Sequence, residues 1–124
     1  MKKVLCFGDS NTFGFIPEKC ARYDKDTRWS GLLKTLCNGK FLIAEAGCNN
    51  RTAFEDNPAG KEQTGYKILP EYLKTENFDI VILAIGINDL QRFFNPNLNE
   101  FEEGLTKLIE ITRNLLPQSE IILV

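Results

Sequence analysis

The 124-residue chain contains no histidine. That absence bears on any hydrolytic reading, because histidine is the usual base for a serine nucleophile and a common zinc ligand. Its four cysteines, Cys6, Cys20, Cys37 and Cys48, never fall at C-x-x-C spacing, so neither a zinc site nor a dithiol redox site is encoded. No metal and no cofactor is expected. No apolar run approaches the ~18 residues of a membrane span. The run after Met1-Lys2-Lys3 is also too short for a secretory signal. Basic blocks are missing too: the net charge is −2, which argues against nucleic acid or an anionic membrane as a partner. Reduced thiols suit an intracellular protein, and the cytoplasm is the expected compartment.

What is present fits one soluble domain: 43% hydrophobic and 26% charged residues, in a length that holds a single core. Four apolar runs predict strands, at Val4 to Phe7, Phe41 to Ala44, Ile80 to Ile85 and Ile121 to Val124. They are nearly continuous rather than alternating, as strands buried on both faces of a parallel sheet are. Between them lie helical patterns. Trp29, Leu32, Leu33 and Leu36 mark the first, which stops near Gly39. A second runs from about Gln63 to Lys74, with Pro70 as a kink or break. The third spans Leu98 to Leu116 and ends before Pro117. The alternation predicts an α/β fold: a three-layer, doubly wound parallel sheet of the flavodoxin-like type, strand order 2-1-3-4. The chain stops inside the apolar pattern EIILV. Residues 1–124 are therefore expected to form a single domain that is incomplete at its C-terminus, lacking a last strand and helix.

In open α/β sheets, ligands sit where the carboxyl ends of the strands meet their loops. Three polar segments fall at three such ends: Gly8-Asp9-Ser10-Asn11-Thr12, then EAGCNNRTAFEDNP, then Gly86-Ile87-Asn88-Asp89. Each has a plain structural reading. The first is a turn, the second a turn with left-handed asparagines, the third a helix cap. Together, on neighbouring strands, they converge on one crevice with Ser10 placed as a nucleophile. Asp9 reads as a brace for the Ser10 loop, and Asp89 as the equivalent in the third loop. Arg51 and Asp56 are expected to pair or to brace the second segment. Trp29 reads as core, and Cys48 as structural. Phe13, Phe15, Phe93 and Phe94 suit either packing or an acyl pocket.

CFGDSNTFGFIP, RYDKDTRWSGLL, EAGCNNRTAFEDNP and DIVILAIGINDLQRFF together resemble, in order and spacing, the SGNH or GDSL hydrolases. The likeness is to the arylesterase-like branch, which includes esterase/acyltransferase enzymes. The resemblance implies a serine esterase acting on small acyl esters. Ser10 would be nucleophile and, through its N–H, one oxyanion donor. The side-chain amide of Asn88 would be another, and the N–H of Asn50 a third, with Gly47 as the alternate. Asp9, Gly86, Asp89 and Arg51 would support them. It also implies that the missing base belongs to a later Asp-x-x-His block, so these 124 residues alone are expected to be inactive. Members of this branch are often oligomers, and the sequence leaves a homo-oligomer open without determining the oligomeric state. The rival readings are a flavodoxin-like binding module, a pseudoenzyme or piece of a split protein, and a haloacid-dehalogenase-like phosphatase. The last lacks the second Asp of Asp-x-Asp-x-Thr.

Overall fold

The computed structural model describes all residues, 1–124. In chain order the elements are β1 (Lys2–Gly8), α1 (Ser10–Phe13), β2 (Phe15–Ile16), β3 (Ala21–Arg22), α2 (Trp29–Leu36), β4 (Phe41–Gly47), α3 (Gly65–Leu73), β5 (Ile80–Ala84), a 3₁₀ turn (Ile87–Leu90), α4 (Leu98–Leu115) and β6 (Glu120–Leu123). Four strands form one parallel sheet in the order β4-β1-β5-β6. That is the predicted 2-1-3-4 arrangement. β2 and β3 pair separately as a two-residue antiparallel hairpin. The hairpin and the one-turn α1 were not legible in the sequence, because elements of two to four residues carry no periodicity.

Successive residues of β1 point to opposite faces of the sheet. Leu5 and Phe7 join Val81 and Leu83 beneath α3 and α4, in a core of 13 buried side chains that includes Ile68, Leu69 and Leu108. Val4 and Cys6 join Ile82 on the other face, where only Trp29 and Leu33 of α2 cover them from a helix. Burial and the nearby Glu45 push the Cys6 thiol up to about 12, so it behaves as a small hydrophobe. The thinly covered face opens into a mainly apolar groove of about 470 Å³ beside α2, lined by Trp29, Leu33, Ile82 and Ile122 among others. Trp29 is thus both core and groove wall.

Pro70 lies inside α3 without ending it, since the N–H of Lys74 still reaches the Pro70 carbonyl at 3.2 Å. α4 begins at a full capping box: the Asn97 side chain accepts from the Glu100 N–H, and Glu100 accepts from the Asn97 N–H. Along α4, Gly104 is buried against the Phe54 ring, and a Cβ there would lie 2.1 Å from ring carbon Cγ. Alanine in a helix interior normally stabilises by up to about 1 kcal/mol over glycine. Here the sign reverses. Gly104→Ala is expected to lose about 1–3 kcal/mol through overpacking, read as a lowered urea midpoint.

Candidate active site

The register brings three strand ends level: Gly8 of β1 lies opposite Gly47 of β4 and Ala84 of β5. The loops that follow them carry the residues singled out from sequence. The backbone of α1 crosses closely over Gly47, since a Cβ there would lie 2.2 Å from the Phe13 nitrogen. Its role in the fold is that close approach.

Asp9 is buried at the N-cap of α1, and its carboxylate accepts the Asn11 N–H at 2.9 Å. Burial raises its carboxyl above the ordinary range, and the nearby Asp89 adds to the rise. Ser10 follows, half-buried, as the first residue of α1. At that position its N–H has no acceptor within the helix, and no side chain of the chain bonds its hydroxyl.

α1 is itself held from behind. Ser30 Oγ donates to the Glu45 carboxylate at 2.5 Å and lies 3.3 Å from the Thr12 carbonyl. Trp29 Nε1 donates to Thr12 Oγ1 at 3.3 Å. The Arg28 guanidinium meets Glu45 with two hydrogen bonds, at 2.7 and 2.9 Å. Nothing in the sequence marked Glu45 for this task, because it sits in a strand whose neighbours are apolar.

The second loop turns on Arg51, which is completely buried. Its guanidinium donates to the carbonyls of Gly8 (3.3 Å), Ala46 (2.8 Å) and Glu62 (2.8 Å), and to the Glu62 carboxylate (2.8 Å). The rings of Phe7 and Tyr72 flank it at 4.6 and 5.6 Å. The expected Arg51–Asp56 pair does not form. Asp56 is exposed and binds Tyr66 Oη and Lys67 instead, because Arg51 points inward under the strand ends. Asn50 is exposed and left-handed, with φ of 62°. Its carbonyl accepts from Asn57 Nδ2 at 2.7 Å, and its own N–H takes no acceptor in the chain. Asn57 was missed in the sequence, where Asn-Pro reads only as a turn. Cys48 is half-buried, and burial raises its thiol despite the opposing pull of Arg51.

The third loop leaves β5 through Gly86, whose φ of 131° needs glycine. Asn88 Nδ2 then donates to the Arg51 carbonyl at 3.0 Å, one residue beyond Asn50. Asn88 Oδ1 accepts from Gln91 Nε2 at 3.3 Å. Asp89 is fully buried and braces the second loop rather than its own. Its carboxylate accepts the N–H groups of Ala53 (2.6 Å), Phe54 (2.9 Å) and Glu55 (3.0 Å). The structure therefore brings Asn50, Arg51, Asn88 and Asp89 into one bonded unit, and Arg51 ties that unit to Gly8, two residues before Ser10. No group of three or more Cys, Asp or Glu side chains is arranged to hold a metal.

Two outcomes test this frame. Asp89→Asn replaces an acceptor of three backbone donors with a half-donating amide, and is expected to cost about 3 kcal/mol of stability by urea unfolding. Hydrogen bonds from Arg28, reinforced by Ser30 and opposed by burial, lower the Glu45 carboxyl from 4.5 to about 2. A lowered folded-state value stabilises above the unfolded value and is lost as pH falls through the folded one. The wild-type advantage over Glu45→Gln, on the order of 3 kcal/mol at most, should hold above pH ~4.5 and shrink steadily toward pH ~2 in urea titrations.

The same fold recurs in known proteins. Residues 6–124 match the model of the GDSL-like lipase/acylhydrolase family. A carbohydrate acetylesterase from Sinorhizobium meliloti superposes with a TM-score of 0.92 at 30% identity, over 99% of this chain and 63% of that one. The aryl esterase of M. smegmatis superposes at 0.90 and 30% identity, again over 99% and 63%. The chain thus spans less than two thirds of the length of these relatives. None of the curated proteins matches it. With the family model covering nearly every residue and the three strand-end loops in place, the chain belongs to the GDSL-like lipase/acylhydrolase family.

Proposed function

We propose that these residues form the nucleophile and oxyanion half of a serine ester hydrolase for small acyl esters. The observation that carries the reading is the Asn88 amide anchored on the Arg51 carbonyl, beside the unengaged N–H of Asn50. Ser10 Oγ attacks the acyl carbonyl, and the carbonyl electron pair moves onto oxygen. The N–H groups of Ser10 and Asn50 and the Asn88 amide stabilise that charge, as preorganised donors do in a site that need not reorganise. Asn50 is preferred to Gly47 as the second donor, because Gly47 is packed against the backbone of α1. Aryl and carbohydrate acyl esters, the substrates named for the two relatives, both fit this chemistry.

The base is the part these residues do not supply. There is no histidine, and both Asp9 and Asp89 are committed to backbone N–H groups. The proton of Ser10 is therefore taken by a group from outside residues 1–124, and the chain by itself is nearly inactive. The four free thiols support a reducing, cytoplasmic setting for the whole.

Hydrolysis of p-nitrophenyl acetate by the 124-residue chain tests the proposal. Loss of a triad base costs roughly 10⁴–10⁶ in turnover, and an oxyanion hole retains ~10³–10⁴ over water. The expected rate lies at that residual level, and Asn88→Ala lowers it by a further ~10²-fold. A rate matching intact esterases and abolished by Ser10→Ala would refute the missing base. A residual rate indifferent to both substitutions would refute the site.

A further inference from the structure

An oxyanion donor at Asn50 has to be held still with nothing bonded to its N–H. Three consecutive carbonyls show how the chain does this, each taken by a different side chain. Asn49 O accepts from Cys48 Sγ at 3.6 Å, Asn50 O from Asn57 Nδ2 at 2.7 Å, and Arg51 O from Asn88 Nδ2 at 3.0 Å. The neighbouring N–H groups are spent as well: that of Arg51 reaches the Cys48 carbonyl, and that of Thr52 the Gln63 carbonyl. Among residues 50–52, only Asn50 keeps an N–H without an acceptor. That N–H lies on the opposite side of its planar peptide from the Asn49 carbonyl, so the contact with Cys48 turns it away from the thiol.

Of the three carbonyls, the one at Asn50 is held against the greatest resistance. Asn50 has a φ of 62°, in the left-handed region, which a residue bearing a Cβ adopts roughly tenfold less readily than the right-handed one. Released from its partner, the residue would fall back to negative φ and swing the N–H of the preceding peptide with it.

Asn57 is placed to prevent this. It is buried, and its amide is fully used. Nδ2 gives its two hydrogens to the Asn50 carbonyl and, at 3.3 Å, to the Gln63 carbonyl, while Oδ1 accepts the Ala59 N–H at 3.0 Å. Its main-chain N–H donates at 3.1 Å to Oγ1 of Thr64, the residue that caps α3. The side chain therefore has no hydrogen to offer a substrate. Nor can its amide turn over without setting an oxygen against two carbonyls.

We infer that Asn57 is a positioning residue for the oxyanion: its carboxamide locks Asn50 in the left-handed conformation and ties the donor N–H to the start of α3. The inference rests on the esterase reading and adds to it a residue that touches neither the ester nor the nucleophile.

The consequence is a donor that is ordered without a partner. In ¹⁵N relaxation of the wild-type chain, the Asn50 N–H is expected to show the order parameter of regular structure, ~0.85. A value below ~0.6 would overturn the inference without any variant. Asn57→Ala is expected to bring the value below ~0.6 and to lower the residual kcat for p-nitrophenyl acetate by about tenfold, the equivalent of ~1.4 kcal/mol. KM stays unchanged, because the charge that Asn50 meets exists only in the transition state. Asn57→Asp keeps the shape and the acceptor for Ala59, but faces the Asn50 and Gln63 carbonyls with an oxygen. It loses at least as much, whereas a residue that merely filled space would tolerate the change. In the Asn50→Gly chain the left-handed conformation costs little, so Asn57→Ala is expected to cost only about twofold there. The strand and helix signals of each spectrum check that the variant is folded.

A kcat for Asn57→Ala within about twofold of wild type, wild-type kinetics in Asn57→Asp, a change confined to KM, or an undiminished loss in the Asn50→Gly chain would each overturn the inference. Failure of the esterase reading shows differently, as hydrolysis indifferent to both Ser10→Ala and Asn88→Ala, and takes the inference with it.

Discussion

The buried guanidinium of Arg51 is the interaction on which the carboxyl end of the sheet depends. A cation removed from water must recover its lost hydration from fixed acceptors. Arg51 does so with the carbonyls at the ends of two adjacent strands, the Glu62 carbonyl and carboxylate, and two aromatic faces. Because its planar fork donates in several set directions, the loop that carries it cannot drift relative to Gly8 or Ala46. Its own carbonyl, turned the other way, receives Asn88. One side chain thus fixes the distance between the Ser10 loop and the Asn50 loop, and its peptide fixes the Asn88 amide to both.

Asp89 is the anionic counterpart. Its carboxylate gathers three consecutive N–H groups of the second loop, which would otherwise be stranded in a segment without regular secondary structure. On the far side of α1, Glu45 accepts instead from side chains, the Arg28 guanidinium and the Ser30 hydroxyl. Charged groups therefore hold the non-repetitive backbone where apolar packing cannot, and two of the groups proposed for chemistry are left unengaged. The Ser10 hydroxyl and the Asn50 N–H have no partner in the chain. Sites built in this way hold donors ready for charge that appears only during reaction.

The two faces of the sheet are unequally built. α3 and α4 bury a large core on one face, while the opposite face has three buried side chains and an open apolar groove. Arg51 and Asp89 brace the strand-end loops through buried hydrogen bonds, while Glu45, the register partner of Cys6, braces the thinly covered face through Arg28 and Ser30.

The strand runs, the three long helices, the sheet order and the convergence of three polar loops were all legible in residue patterns, because hydrophobic periodicity and parallel-sheet connection rules are local or nearly so. The resemblance of the three motifs to a known family is what pointed to Ser10, Asn88 and Asn50, with Gly47 as the alternate. Partnerships were not legible in this way. Arg51 joins Glu62 and not Asp56, Asp89 serves a loop 34–36 residues earlier, and Glu45 of β4 reaches back to Arg28 and Ser30 at the start of α2. Asn57 acquires its task only by lying against the Asn50 carbonyl. Residue type and spacing by themselves determined the elements and the chemistry available. Only the folded chain decided which charge meets which donor, because a buried ionic group takes whatever partner the tertiary packing brings within about 3 Å, however far away that partner lies in the sequence.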